Sequence, residues 1–213
     1  MIRLFKEEIP AWLREHQVAK TIEYKNAPKG NKPSPWRAPE IVSALKRECS
    51  KKCMYCEVIV DDGSYSAIEH ILPKDKFEDL VLEWDNLGLV CPRCNTNKSN
   101  YWTSNPNLQI LNPYKDEVDN HLDFRGPIVV AKIGSTRGEN TLRKLKFTSR
   151  KDLFFSRMKR IEEVDNKIRN WAKETNPEIK SLYAEDVEEA IARDKEFSAI
   201  LRAYAVSFDF PVT

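Results

Sequence analysis

Four of the five cysteines fall into two C-x-x-C pairs, Cys53–Cys56 in KCMYCE and Cys91–Cys94 in VCPRCN, with 34 residues between the pairs. A C-x-x-C turn aims two thiolates at one point, and two such turns supply the four sulfurs of a tetrahedral structural zinc site. A thioredoxin-like redox role needs only one pair, at a strand-to-helix turn, so two pairs argue against it. Disulfides are not expected, because the start MIRLFKEEIPAWLREH has early acids and no unbroken apolar stretch of the kind a secretory signal carries. The separation exceeds the ~15–20 residues of a compact zinc ribbon, so the loop between the knuckles carries something more. Cys49 stands outside the set and reads as a helix residue.

At about 150 residues per domain, 213 residues predict one domain or one domain with a modest appendage. A hydrophobic fraction of 41% suffices for a core. The apolar runs are far shorter than the ~20 residues a membrane helix needs, so the expectation is a cytoplasmic protein with no membrane partner. The net charge of +2 says little, but its distribution is uneven. Residues 1–52 hold 12 basic and 6 acidic side chains, 53–112 hold 4 and 9, and 142–173 hold 11 and 4. Basic segments flanking an acidic centre suit a polyanion binder that also holds a cation, although solvated helix faces give the same pattern.

The pattern predicts a small α+β centre in a mostly helical frame. Pro10 suits the opening of an N-terminal helix with Ile9, Leu13 and Val18 as its stripe, and the loop NAPKGNKPSPWRAP separates it from a short helix PEIVSALKREC. Between the knuckles, strands are predicted at EVIV and SAIEHIL, with a tight turn at DDG (61–63). LGLVC then leads into a helix CNTNKSNYW. IVVAKI reads as a strand. A capping box, Ser149 with Asp152, is expected to open a long helix, and one further helix is expected over AEDVEEAIARDKEFSAILRAY. The division read here is a 1–35 helical segment and linker, a 36–112 core with the knuckles, and a 113–213 strand and helical region.

Three features lie in the loop and just after it: Glu69–His70 ahead of Pro73, Asn86 in DNLGLVC, and Asn95 directly after the last cysteine, with Lys98 on the same helical face. Taken in order over residues 53–98, E-H-x-x-P, D-N-L-x-L-x-C and C-x-x-C-N-x-x-K resemble the HNH endonuclease family, of the kind whose ββα-metal finger is stapled by zinc. The resemblance implies His70 as general base, since a neutral imidazole takes a proton from water near pH 7. It implies Glu69 and Asn95 as ligands of a catalytic magnesium or manganese ion, and Asn86 as the residue that holds the loop by hydrogen bonds. Cys53, Cys56, Cys91 and Cys94 then form the structural zinc site and orient Asn95. Lys98, Lys74, Lys76 and Arg93 are candidate contacts to substrate phosphate. Many members have Asp where this chain has Glu69, and His where it has Asn95. Neighbours on a regular strand face opposite sides, so Glu69 and His70 can share a site only at a strand end or bulge. His121 reads as a loop histidine or a contact outside the ligand set.

The wider layout is similar to the Septu-type, PtuB-like nucleases. It shares with them the PEI…AL helix, the CMYCE knuckle, EWDNL…CPRCN, LNPYKDEVDNHLDF, GPIVV and TLRKLKF followed by SRMKR. That resemblance implies anti-phage defence beside PtuA, an SMC- or ABC-like ATPase, and in some cases retron components. The substrate expected is nucleic acid, DNA ahead of RNA. Alternatives are an HNH nuclease of a restriction or mobile-element system, an effector cutting RNA such as tRNA, and a zinc-stapled binding module without activity.

Overall fold

The computed structural model describes residues 1–60 and 66–212, so the turn expected at DDG lies outside the described residues. Helix α1 (Ala11–Asn26) is followed by a 3-10 turn at Pro35–Arg37 and by α2 (Pro39–Glu48). Strand β1 (Ala67–His70) pairs antiparallel with β2 (Leu87–Val90), and α3 (Pro92–Lys98) follows at once. A second hairpin joins β3 (Leu122–Arg125) to β4 (Ile128–Ala131). Then come α4 (Thr136–Lys144), α5 (Lys151–Lys173), α6 (Pro177–Ala190) and α7 (Ser198–Val206). The architecture is therefore α+β: two small sheets within a helical frame, around one continuous apolar cluster. No helix among the described residues is long and apolar enough to cross a membrane.

The first knuckle is held against β2. Met54 N donates to the Leu89 carbonyl at 2.9 Å, and the turn closes through Cys53 N to Val58 O at 2.8 Å and Glu57 N to Cys53 O at 2.9 Å. Gly88, paired with Glu69 across the sheet, makes this approach possible: a Cβ there would lie 2.2 Å from Met54 Sδ. At the second hairpin, Gly126 takes φ +55° within a two-residue connection, which demands a left-handed residue.

Several expectations are corrected. EVIV forms no strand beyond a single bridge, Lys52 with Ile59, because the knuckle turn consumes its backbone and puts Glu57 at φ +63°. Helix α3 begins at Pro92 and ends before Ser99, whose φ of +47° stops it, so it is shorter and earlier than CNTNKSNYW. On α1 the buried face is Leu13 and Tyr24, eleven residues apart and so nearly aligned at 3.6 residues per turn, while Ile9 and Val18 are exposed. The capping box does not form: Arg150 is the N-cap of α5, Ser149 Oγ donates to the Lys146 carbonyl, and Asp152 pairs with Arg150 and Arg93.

The expected last helix is in fact two. The carbonyls of Arg193 and Lys195 turn inward to accept from the buried Lys52 ammonium, so they cannot continue a helical ladder. Ser198 Oγ, at the start of α7, donates to the buried Glu57 carboxylate at 2.8 Å. Strand β3 was not anticipated from composition, LDFR being polar at two of four positions. The apolar positions that do enter the core include Ile41, Leu45, Leu153, Ile161, Val164, Ile168 and Val187.

Gly88→Ala should cost about 1–3 kcal/mol by overpacking. Urea unfolding checks this, and a Gly88→Ala/Met54→Ala chain should lose less than the sum of the two single losses if the positions are coupled as the contact implies.

Candidate active site and metal centre

The four knuckle sulfurs lie within 4.8 Å of one another, all buried. Cys56 and Cys91 Sγ stand 3.7 Å apart, close to the ~3.8 Å edge of a tetrahedron with zinc–sulfur bonds of 2.3 Å. The donor set thus fits zinc, which Cys53, Cys56, Cys91 and Cys94 would hold. Arg150 brings its guanidinium to 3.4 Å from Cys94 Sγ, offsetting thiolate charge from the N-cap of α5. Cys49 is apart from the cluster. Its thiol donates to the Leu45 carbonyl at 3.0 Å, and burial pushes its pKa up to about 12, so it is a packed helix-end residue.

The cysteine cluster fixes the start of α3. Cys91 caps this helix, its Sγ accepting from Cys94 N at 3.4 Å, and Cys94 is the third helical residue. Asn95 follows it and faces an open cleft of about 870 Å³ that Glu69 and His70 also line. Glu69 and His70 meet there because His70 is the last residue of β1, where the sheet register ends. Trp36, Arg37 and Lys74 also line the wall, and the first two, at the end of a proline-rich loop, are not among the residues the sequence singles out.

His70 is buried and oriented by two contacts. Its Nε2 lies 3.0 Å from the Val81 carbonyl. A carbonyl only accepts, so the hydrogen of neutral imidazole sits on Nε2 and Nδ1 keeps its lone pair. The Trp36 ring meets His70 edge-on at 4.8 Å between centroids. Burial lowers the imidazole pKa to about 4, with Lys74 and Lys98 adding to that effect, so the ring is neutral at pH 7. Asn86 secures the loop that carries Val81: Oδ1 accepts from Leu72 N at 2.7 Å, and Nδ2 donates to Leu72 O at 3.1 Å and Leu80 O at 2.9 Å.

Glu69 is almost fully buried, and burial raises its carboxyl pKa to about 7 against the pull of Lys98 and Lys74. One carboxylate oxygen, Oε1, is ion-paired with Lys98, whereas Oε2 is buried with no hydrogen-bond partner. An orphaned carboxylate oxygen beside an asparagine in one cleft fits a hard divalent cation, so Glu69 and Asn95 are the residues that would hold it.

The remaining candidates are scattered. Lys98 is not placed for a phosphate contact, because its ammonium is buried between Glu69 and the His70 carbonyl. Lys74 borders the cleft. Lys76 is exposed over the Trp102 ring at 5.6 Å. Arg93 points away from the cleft to Asp152, 2.5 Å off. His121 Nδ1 lies 2.8 Å from Ser135 Oγ, which caps α4, so His121 buttresses a helix start.

The two titrations oppose each other. Between about pH 4.5 and 7 the folded chain keeps the Glu69 proton that the unfolded chain has lost, so this group makes stability fall as pH rises. Between about pH 4 and 6.5 the unfolded chain holds a His70 proton that the folded chain lacks, so this group makes stability rise with pH. Each slope is at most about 1.4 kcal/mol per pH unit. Relative to wild type, His70→Ala should therefore lose stability from pH 5 to 6.5 and Glu69→Gln should gain it, as read from urea midpoints without added divalent cation.

Comparison with known proteins matches residues 53–101 to the family model described as HNH endonuclease. The Septu protein PtuB of Bacillus thuringiensis is 33% identical over 170 residues, covering 78% of this chain and 63% of that protein. The Septu protein PtuB of Bacillus mycoides (strain KBAB4) is 26% identical over 205 residues, covering 82% of this chain and 69% of that protein. The chain thus spans a little under two thirds of the first relative. With the finger's knuckles, histidine and loop asparagine in these positions, residues 53–101 carry an HNH endonuclease domain, and the chain as a whole is similar to the PtuB proteins.

Proposed function

We propose that this chain is a metal-dependent endonuclease that hydrolyses phosphodiester bonds of nucleic acid. The observation that carries the reading is His70, with its Nε2 hydrogen fixed on the Val81 carbonyl and Nδ1 left as the base, in a cleft shared with Glu69 and Asn95. His70 Nδ1 takes the proton of a water that attacks phosphorus, and the P–O bond opposite that water breaks. A divalent cation held by Glu69 Oε2 and Asn95 supplies, when bound, charge neutralisation at the phosphate and at the departing oxygen. Oxygen ligands with a substrate phosphate suit magnesium, and manganese in its place. Lys74 and Arg37, which line the cleft, are the proposed contacts to the flanking backbone phosphates.

DNA is the proposed substrate, and RNA is the competing one in the same test. The relatives are named for the Septu system, which supports a role as the nuclease of an anti-phage defence pair in the cytoplasm, working with a PtuA-like ATPase. Retron components are a further proposed association of the same nuclease.

Plasmid DNA and total RNA offered side by side with magnesium should show cleavage by the wild type, alone or with the ATPase. His70→Ala should lower it about 10²- to 10⁴-fold while the chain stays folded and zinc content stays near wild type. Cleavage of neither nucleic acid with the ATPase present would instead support a binding module. Cys91→Ser should lose the bound zinc and unfold the finger, and an active, zinc-free variant would defeat the stapling.

A further inference from the structure

We propose that Lys98 is a positioning residue for the metal-binding carboxylate: its buried ammonium holds Glu69 by one oxygen and leaves the other, Oε2, without a partner and available to the ion. The inference rests on the reading of Glu69 as an ion ligand. Lys98 follows Cys94 by four residues and Asn95 by three, so the zinc-anchored turn of α3 fixes where its side chain begins. From there Nζ reaches under β1, pairing with Glu69 Oε1 and donating to the His70 carbonyl at 2.9 Å. Both side chains of the pair are only 3% exposed, which removes Lys98 from any solvent-facing phosphate.

The pairing answers a geometric difficulty. Glu69 and His70 are neighbours on one strand, and a side chain free to choose its rotamer there would leave the cleft. Lys98 contacts both residues at once, the first through its carboxylate and the second through its main chain. It thereby ties the end of β1 to the helix that presents Asn95. Partners of this kind, which hold a ligand without touching the ion, govern how well the ligand binds. Without the ammonium both Glu69 oxygens would be buried and unpartnered, and the side chain would turn toward water.

The test titrates Mn²⁺ into the zinc-loaded full chain, following free Mn²⁺ by electron paramagnetic resonance, with zinc content and melting temperature read first. Lys98→Met should weaken Mn²⁺ binding about 10- to 100-fold with zinc retained. Glu69→Gln should also weaken it, and Lys98→Met in the Glu69→Gln chain should add nothing. An affinity unchanged or tightened by Lys98→Met would overturn the inference, tightening meaning that the ammonium competes with the ion. Additive losses would overturn it equally. Mn²⁺ binding that ignores Glu69→Gln would remove the ligand assignment itself, and the inference with it. Should Lys98→Met lose zinc, Lys98→Gln keeps a donor for the His70 carbonyl, removes the charge, and carries the same readings.

Discussion

The closure of four thiolates on one point is the constraint from which the rest of the molecule is built. Neither strand of the finger exceeds four residues, and a two-stranded sheet of that size does not hold itself together in water. Tying residues 53–56 to residues 91–94 brings the first knuckle across β2 and starts α3 at a fixed place and angle. Glu69, His70 and Asn95 are all reached from those two anchors. Asn95 comes one residue after Cys94, and β1 is held by its pairing to the strand that ends in Cys91.

The helical frame is bound to this staple by charge as well as by apolar packing. Arg150 contacts the sulfur of Cys94 from the start of α5. Lys52 and Glu57, flanking the first pair, are buried among the carbonyls of residues 193 and 195 and the Ser198 hydroxyl. Buried charges are tolerated only when paired and hydrogen-bonded, and both ends of this network are satisfied across more than 140 residues of sequence. The frame and the finger therefore share one buried polar network as well as one apolar cluster.

The sequence made the finger legible because its chemistry repeats at fixed spacing: two C-x-x-C pairs, the Glu69–His70 doublet and Asn95 after a cysteine each announce themselves locally. The role of Asn86 as a loop holder comes from the resemblance to the family alone. What could not be read was whatever depends on a distant partner. The wall of the cleft formed by Trp36 and Arg37 lies in a proline-rich stretch that looks like a connector. The break before α7 is invisible in an amphipathic pattern, because it is imposed by Lys52 from the other end of the chain. Lys98 reads as a phosphate contact in the sequence because spacing tells which face of a helix it occupies, not whether a strand lies against that face.

The group that sets the protonated nitrogen of His70 is a main-chain carbonyl, at Val81. A side-chain carboxylate in that place could be erased by one codon change and would add its own titration to the imidazole's. A peptide oxygen does neither. Its position is set by the path of residues 71–86, closed at both ends by Asn86, so the identity of residue 81 matters to packing and hardly to chemistry. The tautomer of His70 therefore depends on the shape of a loop, and a substitution at residue 81 that keeps the loop's path would keep the same imidazole tautomer.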